Sequence, residues 1–299
     1  MANTAHVVLV GAEPGADDYA RRRLEELERR WSRFREDSEV SRLNGSPEAL
    51  LVVSDDTVGL VTTMLEAWRL TGGRYDPTLL AAIDAAGYGV STDGSGRRSA
   101  GVRGTPRRRT PADIRVHAEA PLVSIPAGAG IDPGGIGKGL AADMVVTELL
   151  ERGAAGALIG IGGDIAAAGT PPAPDGWRVA VEHPLDRSRT LAMVLLNAGG
   201  AATSSTQTRT WVTDGELRHH VIDPATGECA TTDLAAVTVF ARAGWEAEAH
   251  ATAALLAGSE GALAYLDLHE LEGIVTKLDG TTTSTPSLHC AGETEWSAA

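Results

Sequence analysis

The sequence is poor in cysteine and in positive charge, and both shortages argue against whole classes of protein. Only two of its 299 residues are cysteines, Cys229 and Cys290. Their spacing matches no zinc site, which argues against a disulfide framework and a cysteine-based metal centre. The formal net charge is -14. Because nucleic acids and membrane surfaces are polyanions, this charge argues against both as general partners, whereas a small anion can bind where amides, a lysine or a metal compensate its charge.

The sequence also lacks a long apolar run. No segment reaches the roughly 20 apolar residues that a membrane span requires. The first apolar stretch, at 6–10, has the length of a strand and no basic flank before it, so neither a signal peptide nor a lipobox is predicted. We therefore expect a soluble, cytoplasmic protein without a membrane span.

What is present is enough apolar sequence for a large core, 43% of all residues, arranged in both helical and strand periods. Helices are predicted at 16–34, from Ser54 as N-cap to the glycines at 72 and 73, at about 138–152 and at about 245–257. Strands are predicted at 6–10, 122–125, 157–161, 177–182, 191–196, 235–240 and 273–277. This mixture predicts an α/β or α+β fold with residues 1–299 as one domain. A flexible insertion is expected at about 90–112, where Gly, Ser and Arg replace apolar residues.

Residues 131–143 (IDPGGIGKGLAAD) form the strongest local pattern, because a glycine-rich turn leads directly into a helix. Such a turn lets backbone amides approach a phosphate, and the positive end of the helix favours an anion there. Lys138 adds a mobile cation. The pattern matches neither a Walker A motif nor a dinucleotide-binding GxGxxG, so by itself it fits a purely structural turn equally well.

Glu248 and Thr252 are four residues apart in a predicted helix and therefore project from one face of it. A carboxylate and a hydroxyl are oxygen ligands that suit magnesium. The spacing alone favours the plainer interpretation, which is a surface acid beside a helical threonine. His250 is expected to face solvent from another side of the helix.

A third pattern combines two adjacent histidines, His219 and His220, with the turn sequence DPATG at 223–227. A histidine there could accept the proton of a hydroxyl, since its unperturbed pKa is about 6.5. By itself, an exposed histidine pair explains the pattern better. The sequence GGRYDPT at 72–78 alone indicates a helix stop and a turn, with Asp76 as the expected cap of the next short helix.

Taken together and in order, these motifs resemble the FAD:protein FMN transferase (ApbE-like) family over nearly the whole chain. The agreement comprises FREDSEVSRLN at 34–44, GRYDPT at 73–78, the turn at 131–143, IGGD at 161–164, ATSS at 202–205, HVIDPATG at 220–227, VTV at 237–239 and EAHAT at 248–252. So many motifs in family order are far more specific than any one of them.

The resemblance implies an α+β fold with a thioesterase-like T-fold core, an α/β elaboration, and FAD in the cleft between two lobes. The positions that fall where the family contacts FAD are Phe34, Arg74, Tyr75, Asp76, Asp132, Lys138 and Val221. Those that fall where the family holds magnesium are Gly135, through its carbonyl, Glu248 and Thr252. His220 takes the place of the family histidine before Ile-Asp-Pro and is expected to act as the base or orienting group.

The activity that the resemblance implies is magnesium-dependent transfer of FMN from FAD to a Thr or Ser hydroxyl of an acceptor protein, with release of AMP. Two positions depart from the family pattern, because Glu248 replaces the usual Asp and Ser205 replaces a glycine. We therefore retain two alternatives, a metal-dependent FAD pyrophosphatase that gives FMN and AMP and a catalytically weak flavin-binding protein. Members of the family are often exported, which the cytoplasmic prediction does not reflect.

Overall fold

The computed structural model describes residues 4–91, 96–99, 101, 110–117, 119–213 and 215–290. The helices of this part of the chain are α1 (Ala16–Trp31), α2 (Glu39–Gly45), α3 (Asp55–Leu70), α4 (Leu80–Ala85), α5 (Gly137–Glu151), α6 (Gly244–Leu256) and α7 (Gly258–Leu268). Its strands are β1 (Ala5–Val10), β2 (Leu51–Val52), β3 (Arg115–Val116), β4 (Leu122–Ser124), β5 (Gly156–Ile161), β6 (Asp164–Gly169), β7 (Trp177–Glu182), β8 (Thr190–Leu196), β9 (Gly199–Ser205), β10 (Thr210–Thr213), β11 (Glu216–His219), β12 (Ile222–Asp223), β13 (Glu228–Cys229), β14 (Leu234–Ala241), β15 (Glu272–Lys277) and β16 (Thr282–Ser284). The predicted mixture of helices and strands is confirmed.

The contacts within the chain divide it into two compact units. The described part of the first unit comprises residues 24–91, 96–99, 101, 110–117, 119–137, 210–213 and 215–230, and that of the second comprises residues 4–23, 138–209 and 231–290. The single domain over 1–299 stays a prediction.

The second unit is built on a seven-stranded sheet in the order β1-β5-β6-β9-β14-β15-β16, in which all neighbouring strands are antiparallel. Strand β14 is buried over residues 234–240, as expected for a central strand covered on both faces. Helix α6 packs on β9 and β14. The hairpin β7–β8 packs its apolar side chains against Ala201, Phe240 and Ile274 of the sheet. The central strands are therefore held between α6 and the hairpin.

Small residues in β9 allow α6 to approach the sheet closely. A Cβ atom added to Gly200 would lie 2.4 Å from the Cα atom of Gly244, so the two backbones are in contact. The next residue, Ala201, faces the hairpin β7–β8 instead, because successive residues of a strand point to opposite faces. This close contact fixes the depth at which α6 lies on the sheet.

The first unit contains a three-stranded sheet in the order β2-β4-β3, the two-stranded sheets β10–β11 and β12–β13, and helices α2, α3 and α4. Ser54 caps α3 as predicted, since its Oγ atom accepts a hydrogen bond from the amide of Thr57 at 3.3 Å. The side chain of Asn44 joins α2 to the strand-like segment before the glycine-rich turn. It accepts from the amide of Ile131 at 2.8 Å and donates to the carbonyl of the same residue at 2.9 Å.

The predicted helix from about 245 continues beyond its expected end in a second helix. Gly258 has φ +68 and follows the C-cap of α6, which confirms it as a helix stop, but α7 begins at the same residue. In the predicted insertion at 90–112, Val90 pairs with Arg98 in an antiparallel bridge. Residues 92–95, 100 and 102–109 lie outside the described part of the chain, so the flexible insertion stays a prediction.

None of the helices in the described ranges is both long and apolar enough to cross a membrane.

Candidate functional site

Three charged side chains meet in the interior of the second unit. The ammonium group of Lys138 contacts a carboxylate oxygen of Asp164 and lies 2.6 Å from Oε1 of Glu248. Lys138 is 9% exposed, and the two acids are each 3% exposed. Charged side chains are rarely buried to this extent unless they are paired. With every group ionised, the three side chains carry a net charge of −1.

The positions of these three side chains follow from the local structure. Lys138 and Asp164 lie at the start of a helix and a strand, and Glu248 lies where two helices are in contact. Lys138 is the second residue of α5, directly after the glycine-rich turn. Asp164 opens β6 after Gly162 and Gly163, whose φ angles of 58 and 99 make the tight turn from β5. Glu248 lies on α6, and its Oε2 atom accepts a hydrogen bond from the amide of Gly139 at 2.9 Å. The carboxylate of Glu248 is thus held against the first turn of α5.

Thr252 lies one turn after Glu248 on α6, so the predicted placement of both side chains on one helix face is confirmed. Its hydroxyl is 2.9 Å from the hydroxyl of Ser204 in β9 and 3.4 Å from the carbonyl oxygen of Glu248. Hydroxyl and carboxylate oxygens are the donors that hard cations prefer.

Burial and neighbouring charges shift two pKa values around this group. Burial lowers the pKa of Lys138, although the charge of Glu248 acts against this effect, and the charge of Arg209 lowers it further. Burial also raises the pKa of Asp143 to about 6, and the charges of Glu248 and Glu246 add to the rise. The cause common to both shifts is burial, which disfavours the charged form of each group.

The donor set of this region suits a hard cation. The buried charge of −1 favours a bound cation, and Glu248 with Thr252 presents oxygen donors on one helix face. Within the described residues, no three His, Cys, Asp or Glu side chains form a metal-binding cluster. A cation here would therefore rely on one carboxylate together with hydroxyl and carbonyl oxygens, as the resemblance implies. Gly135 belongs to the other unit, so its convergence with Glu248 and Thr252 stays a prediction.

The glycine-rich turn itself belongs to the first unit up to Gly137. Gly135 has φ +83, a conformation that favours glycine, and the amide of Gly137 donates to the carbonyl of Pro133 at 2.8 Å. Asp132 organises the turn, since its Oδ1 atom accepts from the amide of Gly134 at 3.0 Å and its own amide donates to the carbonyl of Pro77 at 2.9 Å. The turn is therefore tied to the GRYDPT segment.

Arg33 connects Asp132 to an aromatic group formed by Phe34, Tyr88 and Trp211. The Arg33 guanidinium lies 3.5 Å from Oδ1 of Asp132 and 2.8 Å from Oδ1 of Asp84. Its central carbon is 4.3 Å from the centre of the Phe34 ring and 5.1 Å from that of Tyr88. Tyr88 stacks on Trp211 with ring centres 5.3 Å apart. Arg33 is only 4% exposed, so Phe34 stands beside a buried cation.

The three predicted FAD-contacting residues of the GRYDPT segment differ in their surroundings. Tyr75 is buried, and its amide donates to the hydroxyl of Thr71 at 3.0 Å. Arg74 is exposed. Asp76 was expected to cap the next short helix, and this is wrong: its Oδ1 atom accepts from the amide and hydroxyl of Thr78, while α4 begins at Leu80 without a side-chain cap. The turn bends the chain before the helix starts.

The two adjacent histidines have separate environments. His219 is held by the backbone, because its Nδ1 atom accepts from the amide of Val221 at 3.3 Å and its Nε2 atom is 3.1 Å from the carbonyl of Ala230. This arrangement requires a neutral ring with the proton on Nε2, and burial lowers the pKa of His219. The ring of His219 thus joins the end of β11 to the residue that follows β13, which leaves His220 as the candidate base. Val221 is 5% exposed.

The sequence profile of the ApbE family matches residues 1–275. The chain belongs to the ApbE family. It is 28% identical over 269 residues to the FAD:protein FMN transferase of Klebsiella pneumoniae (strain 342), covering 85% of this chain and 77% of that protein. It is 30% identical over 258 residues to the FAD:protein FMN transferase of Treponema pallidum (strain Nichols), covering 81% and 71%.

Solved structures of ApbE proteins share the fold. The ApbE protein of Thermotoga maritima superposes with a TM-score of 0.80 at 23% identity, over 94% of this chain and 92% of that one. The apo form of the flavinyl transferase ApbE of Pseudomonas stutzeri gives a TM-score of 0.76 at 23% identity, over 95% of each chain. The mixed α/β architecture is therefore that of the ApbE structures.

Several residues of the site were not among those predicted from the sequence. Asp164 and Ser204 lie in motifs that carried the family resemblance, IGGD and ATSS, but no role was assigned to their side chains. Asp143 likewise ends the motif at 131–143 without an assigned role, and Arg33 gave no signal beyond an ordinary charged residue near a helix. Their partners lie far along the chain, so spacing alone could not identify them.

Ser205 is one of the two departures from the family pattern, and the backbone accommodates it without strain. Its φ angle is not in the left-handed region, so the backbone does not need a glycine here. Its hydroxyl donates to the carbonyl of Ala235 at 2.9 Å and accepts from the amide of Gln207 at 3.0 Å, which joins the end of β9 to β14.

His250 does not face solvent, contrary to the expectation from the sequence. It is 3% exposed, and its Nδ1 atom lies 2.7 Å from the hydroxyl of Tyr265 in α7. Its ring centre is 4.9 Å from that of His269. Burial lowers the pKa of His250 to about 4, and the neighbouring His269 contributes to the shift. Helix α6 is covered by α7 on this side, which the sequence pattern did not indicate.

Proposed function

We propose that this chain transfers FMN from FAD to a Thr or Ser hydroxyl of an acceptor protein, releases AMP, and requires magnesium. The observation that carries the proposal is the buried group of Lys138, Asp164 and Glu248 at the start of α5. Membership of the ApbE family and similarity to proteins named FAD:protein FMN transferase support it.

The electrostatics of α5 suit an anionic dinucleotide. The amides before Lys138 lie at the positive end of a 15-residue helix, where phosphate groups are stabilised. Lys138 adds a positive charge at the same end. This local arrangement allows a protein with a net charge of −14 to bind a pyrophosphate.

In the reaction, an acceptor hydroxyl oxygen attacks the phosphorus atom that carries riboflavin. A new phosphorus–oxygen bond forms to the acceptor, the pyrophosphate bond breaks, and AMP leaves. His220 takes the proton of the hydroxyl, or orients that hydroxyl, as the attack proceeds. Such a transfer depends mainly on alignment and on neutralisation of the phosphate charge. Lys138 and the amides at the start of α5 serve the second need.

Magnesium would be held by Glu248, Thr252 and the carbonyl of Gly135. When bound, it supplies further neutralisation of the pyrophosphate charge. Ser204 orients the Thr252 hydroxyl, and the Gly139 amide orients the Glu248 carboxylate. The longer side chain of Glu248, compared with the usual Asp of the family, is already anchored at its far end by that amide.

The remaining predicted FAD contacts are Phe34, Arg74, Tyr75, Asp76, Asp132 and Val221. Asp132 and the ring of Phe34 are supported by the contacts of Arg33, which hold both in place. The T-fold core, the FAD cleft and the cytoplasmic location remain predictions from sequence and family resemblance.

The test is to incubate the purified chain with FAD, magnesium and an acceptor protein that carries an accessible threonine or serine. Both AMP and the mass of the acceptor are then measured. The proposal predicts AMP together with an acceptor heavier by one FMN, at a threonine or serine. AMP and free FMN without a mass gain would show a pyrophosphatase instead. FAD binding without AMP would show a flavin-binding protein.

A matched pair of variants connects the activity to the proposed site. Glu248→Gln should lower the magnesium-dependent rate by about 10²-fold or more, because a charged oxygen ligand is lost while the shape is kept. Arg187→Gln, in an exposed ion pair with Glu182, should have wild-type activity. Full activity of purified Glu248→Gln would contradict the assignment.

A further inference from the structure

We propose that Asp143 is a positioning residue that sets the place of Glu248 and Thr252 and thereby the affinity of the chain for magnesium. The inference rests on the proposed function, because it treats the oxygen atoms of these two residues as cation ligands. It concerns a side chain that accepts hydrogen bonds from the amides of Gly244 and Trp245.

Helix α6, which carries both ligands, has no cap of its own. Ala243 occupies its N-cap position and has no side-chain oxygen. The first amides of a helix need acceptors from outside the helix. Here Oδ1 of Asp143 accepts from the amide of Gly244 at 2.8 Å, and Oδ2 accepts from that of Trp245 at 3.0 Å. The cap of α6 is therefore supplied by α5, from about 100 residues earlier in the chain.

The same face of α5 also contacts Glu248, one of the two proposed magnesium ligands. Gly139 lies one turn before Asp143, and its amide donates to the carboxylate of Glu248. Glu248 in turn lies one turn after Gly244. The two helices are thus joined at two levels, from Asp143 to the first residues of α6 and from Gly139 to Glu248. If the contact of Asp143 with the amides of Gly244 and Trp245 is lost, the position of Glu248 against Lys138 is no longer fixed.

Backbone contact between the helices makes this arrangement sensitive to small shifts. A Cβ atom added to Gly139 would lie 2.3 Å from the carbonyl oxygen of Gly244. The two helices therefore cannot come closer together. This contact does not prevent α6 from sliding along α5 or rotating about its own axis. The Asp143 carboxylate restricts both movements, because each of its oxygens accepts from one of two successive amides of α6.

The experiment separates positioning from simple helix capping by using a second variant. Asp143→Ala removes the cap that α5 provides, and Asp143→Ala with Ala243→Ser provides α6 with a local cap instead. The backbone of Ala243, at φ −141 and ψ 153, already has the extended conformation of an N-cap residue. Ser54→Ala, which removes the cap of α3, is the matched control for loss of a cap elsewhere.

Three quantities are measured for each variant. They are the melting temperature, the magnesium concentration for half-maximal AMP release in the presence of FAD and acceptor, and amide hydrogen exchange at residues 244 and 245 without metal. We expect Asp143→Ala to raise the half-maximal magnesium concentration by about 10- to 100-fold, with a smaller change in kcat at saturating magnesium. Exchange at residues 244 and 245 should become faster. The added Ala243→Ser should restore the melting temperature and slow exchange at residue 245, whose amide an N-cap serine can reach, but it should not restore the magnesium affinity.

Other results overturn the inference. If the local cap restores magnesium affinity as well, Asp143 only caps a helix. If Asp143→Ala lowers the melting temperature as Ser54→Ala does, with no change in the magnesium requirement, its role is structural. Both results leave the proposed function intact. A wild-type chain that releases no AMP at any magnesium concentration would instead refute the proposed function and the inference together.

Discussion

At the scale of single residues, the interior of the second unit depends on one ammonium group shared by two carboxylates. Lys138 contacts both Asp164 and Glu248, and all three are nearly inaccessible to solvent. A buried ion pair need not stabilise a fold more than apolar residues would, but removal of one partner leaves an uncompensated charge. Removing one of the three side chains should therefore change the stability of the fold, and this effect is separate from their proposed role in catalysis.

Lys138→Met should therefore lower the free energy of unfolding by about 3–5 kcal/mol in metal-free buffer. The double variant Lys138→Met/Glu248→Gln should recover part of this loss, because one of the two unpaired charges is also removed. Chemical denaturation of the three proteins measures both effects. Arg187→Met, at an exposed ion pair, should change little. A Lys138→Met protein as stable as the wild type would show that the three side chains are not buried together.

At the scale of elements, the contact between α5 and α6 depends on glycine at one position. A Cβ at Gly139 would overlap the backbone of Gly244, whereas one at Gly59, the fifth residue of α3, would meet nothing within 4 Å. Both residues are helical, so the same substitution should have opposite effects at the two positions.

Gly139→Ala should lower the free energy of unfolding by roughly 1–3 kcal/mol or more, because the helices must move apart. Gly59→Ala should raise it by about 0.5–1 kcal/mol, because alanine loses less conformational entropy in a helix. Thermal unfolding of both variants beside the wild type gives the two signs. Equal effects would mean that the close contact between α5 and α6 is absent.

The contact between α6 and α7 should make stability depend on pH through His250. The pKa of His250 is about 4 in the folded chain and about 6.5 when unfolded, so the fold favours the neutral ring. Its contribution is present above pH 6.5 and is lost as the pH falls towards 4. Between pH 7 and pH 5 the loss should be about 2 kcal/mol.

Urea denaturation at both pH values tests this dependence. His250→Gln keeps a partner for Tyr265 but does not titrate, so its stability should fall less than that of the wild type over the same interval. His289→Gln, at an exposed histidine, should follow the wild type. If His250→Gln and the wild type lose stability in parallel, His250 is not buried in neutral form.

The elements that could be predicted from the sequence are those whose own residues favour them. Strand β7, at Trp177–Glu182, alternates buried and exposed residues and was predicted with its observed bounds. Strands β6 and β9 were missed because they consist of Ala, Gly, Thr and Ser together with one Asp and one Ile, which have no clear strand period. Those small residues are required by tertiary packing, since β9 lies directly against α6.

At the scale of the whole molecule, the family could be identified from the order of motifs, and the profile of the ApbE family over residues 1–275 confirms it. Within the candidate site, the common helix face of Glu248 and Thr252 was predictable because it depends on local geometry. The contacts of Lys138 with Asp164 and of Asp143 with α6 were not, because the partners are brought together only by the fold. The sequence thus specifies the chemistry of the site better than its supporting contacts.

The central claim for the whole molecule is that oxygen atoms of the chain hold a hard cation that helps a strongly acidic protein to bind FAD. Titration calorimetry of FAD into the chain, with and without magnesium, tests it most directly. We predict that magnesium strengthens FAD binding by about tenfold or more in the wild type and has little effect in Glu248→Gln. Equal FAD affinity of the wild type with and without magnesium would contradict the claim.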